Sequence, residues 1–175
     1  MLEKGYVQLY TGNGKGKTTA ALGLALRAAG TGMKTMIIQF MKGQFYSELD
    51  AVKKLDGMIE IEQYGSTKFC MPDHENFDEH YTICRKGYTR AEEVIINNQH
   101  SVVILDEIVT ALLFTIITIE DIKKLIDIKP QSMELILTGR GAPQELIDMC
   151  DLVTEMKEIK HYYTQGVLAR TGIEN

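Results

Sequence analysis

The sequence predicts an α/β fold, with a mainly parallel sheet and helices on both of its faces. Short apolar runs typical of buried strands alternate with helical segments along the chain. The runs at residues 101–105 and 134–138 are almost continuously apolar, as expected of central parallel strands. With no internal repeat and no Pro- or Ser-rich linker, the 175 residues are expected to form one domain, 1–175.

The elements follow one another in a regular order. A strand at 6–10 precedes an Ala- and Leu-rich helix at 18–29, which should end at Gly30 and Gly32. Further strands are predicted at 35–40, 58–63, 101–105, 134–138 and 151–156.

A long helix is predicted at 73–98, with Asp73 as its N-cap. Its apolar residues recur at spacings of three and four and form one stripe: Phe77, Tyr81, Cys84, Tyr88, Ala91 and Ile95. We interpret this stripe as core packing. Gly87 lies inside the helix at a cost of about 1 kcal/mol relative to Ala, which indicates a kink or close packing there.

Residues 11–19, TGNGKGKTT, form a phosphate-binding loop between the first strand and the first helix. The loop is irregular, because Thr11 stands where the usual pattern has its first glycine and Gly12 follows one residue late. Backbone N–H groups of such a loop, together with the helix N-terminus, bind anionic oxygens. The residues expected to hold the phosphates of a nucleotide are Gly12, Asn13, Gly14, Lys15, Gly16, Lys17, Thr18 and Thr19.

Polar residues follow the other predicted strands and should meet at the carboxyl edge of the sheet, where ligands bind in such folds. Asp106 ends an apolar strand and, with the Thr18 hydroxyl, is the predicted site for Mg²⁺. Glu107 is expected to contact metal, ribose or water, unless it is simply a solvated acid at a helix start. Arg140, between two glycines, either grips phosphate oxygens or pairs with a nearby carboxylate.

Composition argues against several other classes of protein. The net charge of −5 and the lack of a Lys/Arg-rich block argue against nucleic-acid binding. No apolar run reaches about 18 residues, so no membrane association is expected. The three isolated cysteines form no CxxC pair, and the first strand begins too early to leave room for a signal peptide. A cytoplasmic location is therefore the expectation.

Five segments in order resemble the ATP:corrinoid adenosyltransferases of the BtuR/CobA/CobO type, over nearly the whole chain. They are GYVQLYTGNGKGKTTAALGLALRAAG, IIQFMKG, VVILDE, LTGRGAP and LVTEMKEIKHYYTQGVLARTGIE. The resemblance implies a RecA-like P-loop fold, a homodimer, and transfer of the 5′-deoxyadenosyl group of ATP to the cobalt of a reduced corrinoid. Triphosphate leaves, and Mg²⁺, Lys15, Lys17 and backbone N–H groups would neutralise its charge.

The resemblance also implies a corrinoid site in the loop before the long helix. The family uses two aromatic side chains there to remove the lower axial ligand of cobalt(II), which a flavoprotein then reduces. Phe69 matches the first aromatic position, whereas Met71 replaces the second. Met is apolar and flexible and can still exclude water and ligand.

The sequence leaves two other functions open. The phosphate loop and VVILDE alone also fit a small P-loop kinase or a RecA-like ATPase. A nucleotide-gated protein that delivers a corrinoid to a partner without catalysis would have the same binding residues.

Overall fold

The computed structural model describes residues 2–68 and 76–175, which form a six-stranded sheet with all neighbouring strands parallel. The strands are β1 (Val7–Thr11), β2 (Thr35–Phe40), β3 (Ile59–Tyr64), β4 (Val102–Asp106), β5 (Glu134–Thr138) and β6 (Leu152–Glu155). Their order across the sheet is β3-β2-β4-β5-β1-β6. The α/β prediction is confirmed, and each predicted strand matches an observed one to within two residues.

Six α-helices and a 3₁₀ turn of the described residues surround the sheet. They are α1 (Lys17–Ala29), α2 (Glu48–Val52), α3 (Phe77–Asn97), α4 (Ile108–Leu113), α5 (Ile119–Asp127), α6 (Gln144–Met149) and the 3₁₀ turn Tyr162–Gln165. Helices α2, α4, α5 and α6 have no counterpart among the elements predicted from the sequence. They span five to nine residues, too few for an apolar period to stand out.

The core has two layers because successive strand residues point to opposite faces of the sheet. On β4, Val103 and Leu105 pack with α3, α4 and α5, whereas Val102 and Ile104 pack with the alanines of α1. Both layers exclude water almost completely. This explains why β4 is apolar at successive positions until it ends at Asp106.

The long helix α3 begins at Phe77, with Asn76 in the N-cap position. Asp73, the predicted cap, lies outside the described residues. The predicted stripe is wrong at Tyr81, which is exposed, while His80 beside it is fully buried. The buried face is thus rotated by one residue at the start of the helix and follows the predicted stripe from Cys84 onward.

Gly87 of α3 lies where the helix approaches β2 and β3. A Cβ at this position would stand 2.7 Å from Cβ of Tyr64 and 3.2 Å from Cε1 of Phe40. The close-packing interpretation of this glycine is therefore confirmed. Within residues 2–68 and 76–175, no helix combines the length and apolarity that a membrane crossing requires.

We expect Gly87→Ala to lower the free energy of unfolding by up to about 2 kcal/mol. The overpacking penalty of about 1–3 kcal/mol should exceed the helix-propensity gain of about 1 kcal/mol. Gly23→Ala is the matched control, since Gly23 lies in α1 and a methyl group added there would have no atom within 4 Å. It should stabilise the protein by about 0.5–1 kcal/mol. Urea unfolding of both variants tests this, and equal stabilisation by the two would contradict the packing argument.

Candidate functional site

The candidate site lies at the carboxyl ends of β1, β2, β4 and β5. Because the strands are parallel and in register, Gln39 stands beside Asp106 and Tyr10 stands beside Thr138. The sequence prediction that the strand ends meet at one edge of the sheet is confirmed. The phosphate loop leaves this edge from β1 and leads into α1.

The irregular phosphate loop is shaped by its contact with the chain that follows β6. Gly14 N–H donates a hydrogen bond of 2.6 Å to the Met156 carbonyl. A Cβ on Gly12 or on Gly14 would approach that same carbonyl oxygen to 2.5 or 2.6 Å. Thr11 belongs to β1, and its carbonyl accepts a hydrogen bond from Met156 N–H. Because β1 extends through Thr11, the first glycine of the loop comes at Gly12, one residue after its place in the usual pattern.

Lys17, the first residue of α1, is buried and folds back into the loop. Its ammonium donates to the carbonyls of Gly12 and Gly14 at 2.8 and 2.9 Å. Burial lowers its pKa, the Glu107 carboxylate opposes this, and the positive charge of Arg140 lowers the pKa further. The loop thus holds a desolvated cation beneath the place where we expect phosphates.

Asp106 has no exposure to water and is hydrogen-bonded by side chains from α1, β2 and β5 and by Lys42. One carboxylate oxygen, Oδ1, accepts from the hydroxyls of Thr18 at 2.9 Å and Thr138 at 2.7 Å. The other, Oδ2, accepts from Lys42 at 2.8 Å and Gln39 at 3.3 Å. Such donors compensate for the loss of hydration that a buried carboxylate otherwise suffers.

Lys42 lies two residues after the end of β2 and places its ammonium between the two predicted metal ligands. The nitrogen is 2.8 Å from Asp106 Oδ2 and 3.2 Å from Thr18 Oγ1, and it stands 5.0 Å from the ring centroid of Tyr46. Burial alone would lower the pKa of Lys42, but the Asp106 carboxylate outweighs burial and raises it. The ammonium is therefore held in its charged form.

Thr18 and Asp106 also have the chemistry that Mg²⁺ requires. Their side-chain oxygens are 2.9 Å apart and are hard ligands on rigid elements, the first turn of α1 and the end of β4. Magnesium sites of this kind use one or two protein oxygens and leave the other positions to water and phosphate. No cluster of three or more His, Cys, Asp or Glu that could hold a metal occurs in the described parts of the chain.

Glu107 and Arg140 both line the cavities above the strand ends. Glu107 caps α4 in a left-handed conformation, with φ of 62°, while its backbone N–H donates to Thr138 Oγ1 at 2.9 Å. Its carboxylate accepts a short hydrogen bond from Thr110. Arg140 is exposed, and its guanidinium forms no ion pair with the residues that the structure describes. The alternative that Arg140 is held by a carboxylate thus lacks support.

A first cavity of about 610 Å³ opens above the phosphate loop. It is lined by residues 14–19 of the loop and by Lys42, Glu107 and Arg140, which brings most of the predicted nucleotide residues together. Gly12 and Asn13 are not in its lining, and Gly12 instead contacts the chain after β6. The C-terminal residues 172–175 and His161 form the opposite wall.

A second cavity of about 600 Å³ adjoins the first. Four side chains line both cavities: Lys42, Tyr46, Glu107 and Arg140. Elsewhere the second cavity is lined by apolar residues such as Met41, Leu113 and Phe114, and by Ser66 and Lys68. Phe69 and Met71, the predicted corrinoid residues, follow directly in the sequence but lie outside the described residues.

Several contacts that build this site could not be predicted from the sequence. The sequence predicts residues 39–42 among the polar residues at this edge of the sheet, and the structure confirms this. Nothing in the sequence connects Lys42, Gln39 or Thr138 with Asp106. The sequence also contained no indication that residues 172–175 line the first cavity, although most of them belong to a segment that carries the family resemblance. There, Ser47 donates to the backbone oxygen of Asn175 at 2.9 Å. The left-handed conformations of Glu107 and Met41 had no sequence signal.

Comparison with known proteins gives consistent matches over almost the entire chain. The chain is 32% identical over 172 residues to a corrinoid adenosyltransferase of Escherichia coli K12, covering 98% of this chain and 86% of that one. A corrinoid adenosyltransferase of Sinorhizobium is 33% identical over 174 residues, covering 98% and 81%. The corrinoid adenosyltransferase CobA of Salmonella typhimurium is 30% identical over 172 residues, covering 98% and 86%.

The family model described as ATP:corrinoid adenosyltransferase BtuR/CobO/CobP matches residues 3–175. This match includes the phosphate loop, the strand that ends in Asp106 and the C-terminal wall of the first cavity. On the strength of this match and these relatives, the chain belongs to the ATP:corrinoid adenosyltransferase family.

Proposed function

We propose that this protein transfers the 5′-deoxyadenosyl group of ATP to the cobalt of a reduced corrinoid and releases triphosphate. One observation carries the proposal: two cavities of similar size adjoin at the strand ends and share Lys42, Tyr46, Glu107 and Arg140. Transfer of an alkyl group from one large substrate to another requires such neighbouring sites, so that the reacting atoms can meet at the shared wall.

The first cavity suits ATP. Its floor is the phosphate loop and the N-terminus of α1, whose free N–H groups and dipole favour anions. Lys17 and Lys15 would supply charge to the triphosphate, with Lys17 exchanging its carbonyl partners for phosphate oxygens. We also propose nucleotide contacts for Gly12, Asn13 and Thr19. Glu107, which lines both cavities, is a further candidate for binding the nucleotide.

Thr18 and Asp106 are the proposed holders of Mg²⁺. Bound there, Mg²⁺ would neutralise part of the charge on the departing triphosphate. Thr138 keeps the Asp106 carboxylate in place with a 2.7 Å hydrogen bond from its hydroxyl. Arg140 is free to face the phosphates because no carboxylate of the described residues forms an ion pair with it.

The proposed chemistry needs no acid or base from the protein. Cobalt(I) supplies an electron pair to C5′ of ATP, a cobalt–carbon bond forms, and the bond from C5′ to the triphosphate oxygen breaks. The protein therefore contributes alignment, worth about 7–11 kcal/mol in favourable cases, and stabilisation of the leaving charge. This fits a first cavity whose lining is rich in cations, with Lys15, Lys17 and Arg140 around the expected phosphates.

The second cavity is the proposed corrinoid site. Its apolar lining suits a macrocycle, and Ser66 and Lys68 lead directly to Phe69 and Met71. We assign Phe69 and Met71 to the exclusion of the lower axial ligand, and a flavoprotein is the proposed electron donor. We also propose a cytoplasmic location for this enzyme.

A homodimer is also proposed. The edge strand β6 exposes all four of its residues, including Leu152 and Val153, and the chain beyond it exposes Ile159 and Leu168. Apolar side chains gathered at a sheet edge are typical of an interface with another chain.

The transfer itself is tested by anaerobic incubation of the protein with ATP, Mg²⁺ and a cobalt(I) corrinoid. We expect the absorption spectrum of an adenosylcorrinoid and an equal amount of triphosphate. Running cobalamin and cobinamide in parallel compares corrinoids with and without a lower ligand base. Orthophosphate release without corrinoid, and no cobalt–carbon bond, would identify an ATPase instead. Tight binding of both substrates without product would favour the delivery protein.

We expect Lys17→Ala to reduce kcat/KM by about 10²–10³, on the scale of other lost donors to a developing anion. The reason is the loss of a buried ammonium at the phosphate loop. Lys123→Ala removes an exposed lysine of α5 outside both cavities and should leave turnover unchanged. Anaerobic steady-state kinetics measure both variants. Wild-type turnover by Lys17→Ala would contradict the role that we assign to this lysine.

Sedimentation velocity is expected to give a mass about twice the 19.7 kDa of the chain. Ile159→Glu should raise the dimer dissociation constant about tenfold or more, because burying a carboxylate without a partner is costly. Ile96→Glu, at another exposed isoleucine near the end of α3, is the control and should leave the dimer intact. A monomeric wild type would refute the interface.

A further inference from the structure

The ammonium of Lys42 lies where a divalent metal would have to bind. It is 2.8 Å from Asp106 Oδ2 and 3.2 Å from Thr18 Oγ1, the two side chains assigned to Mg²⁺ above. In the described residues, Lys42 is the only ion-pair partner of Asp106. The buried carboxylate is thus already neutralised by a cation of the protein itself.

A metal ion and this ammonium cannot both occupy the site. Mg²⁺ binds its oxygens at about 2.0–2.1 Å and demands near-octahedral space around it, whereas the ammonium already contacts one oxygen of each proposed ligand, Asp106 Oδ2 and Thr18 Oγ1. Two positive charges so close together in a site shielded from water also repel strongly. The metal can therefore enter only when Lys42 leaves.

The structure also shows where the ammonium can go. Lys42 follows Met41, whose φ of 61° turns the chain sharply away from β2, and the lysine lines both cavities. Its side chain is 14% exposed and borders the first cavity, so the ammonium is within reach of a ligand bound there. A polyphosphate in that cavity would offer the displaced ammonium new anionic partners. Without a polyphosphate, an ammonium that left Asp106 would exchange a buried carboxylate for the weaker attraction of the Tyr46 ring.

We propose that Lys42 is a built-in cation that keeps divalent metal out of the Thr18–Asp106 site until nucleotide binds. The nucleotide then draws the ammonium to its phosphates and brings the metal to the vacated oxygens. This inference rests on the proposed function for the identity of the metal site. It adds to that function an order of binding, in which metal enters with nucleotide and not before it.

The test is a titration of nucleotide-free protein with Mn²⁺, a divalent ion that uses the same oxygen ligands, followed by electron paramagnetic resonance. Lys42→Met should bind Mn²⁺ about tenfold or more tightly than wild type, since a charge-assisted hydrogen bond no longer competes for the carboxylate. Lys42→Gln, which retains a neutral donor for Asp106, should also gain affinity. Adding Asp106→Asn to Lys42→Met should abolish the gain.

Two controls separate displacement from a general change in charge. Lys42→Arg keeps the positive charge and should exclude Mn²⁺ as wild type does. Lys53→Met removes one charge at an exposed lysine that pairs with Asp50, away from Asp106, and should not gain affinity. Circular dichroism and thermal unfolding establish whether each variant is folded. If Lys42→Met does not fold, Lys42→Gln replaces it as the neutral variant in the Mn²⁺ titration.

Equal Mn²⁺ affinity of wild type and the neutral Lys42 variants would overturn the proposal. So would an equal gain in Lys42→Arg or in Lys53→Met. The titration uses neither ATP nor corrinoid, so its failure leaves adenosyl transfer by the wild type untouched. Failure of adenosyl transfer, in turn, would leave a positive Mn²⁺ result standing as a property of the phosphate-loop site.

Discussion

The carboxylate of Asp106 is the group on which the rest of the site depends. It is wholly buried, and it receives hydrogen bonds from Thr18, Gln39, Lys42 and Thr138, which come from α1, from β2 and the turn after it, and from β5. A buried carboxylate is stable only when such donors replace its water. The ends of β2, β4 and β5 and the start of α1 are therefore held together by one charge.

This arrangement accounts for the position of both cavities. Immediately beyond Asp106, the chain turns through Glu107 in a left-handed conformation, and beyond β2 it does so at Met41. Non-glycine residues rarely adopt this conformation, and they do so where surrounding structure compensates, often at functional sites. Here the two turns direct Glu107 and Lys42 to the wall between the cavities. A strained backbone thus lies where the two substrates of the proposed reaction would meet.

The phosphate loop was predictable in its chemistry but not in its shape. The run TGNGKGKTT indicated phosphate binding, and the cavity above residues 14–19 agrees with it. The late glycine had no explanation from the sequence. It follows from the pairing of β1 with β6, which extends β1 through Thr11 and brings Met156 against Gly12 and Gly14. The glycines at 12 and 14 are needed for close approach of two backbones.

The α/β sheet, its strands, the phosphate loop and the place of Asp106 at a strand end were all predictable from the sequence. These rest on local patterns, apolar periodicity and glycine spacing, which act over a few residues. The tertiary structure was needed to show that Lys42 pairs with Asp106 across 64 positions, that Thr138 donates a hydrogen bond to Asp106 across 32, and that residues 172–175 line the first cavity. Such contacts leave no periodic pattern in the sequence, because they arise from the order in which parallel strands are placed in the sheet.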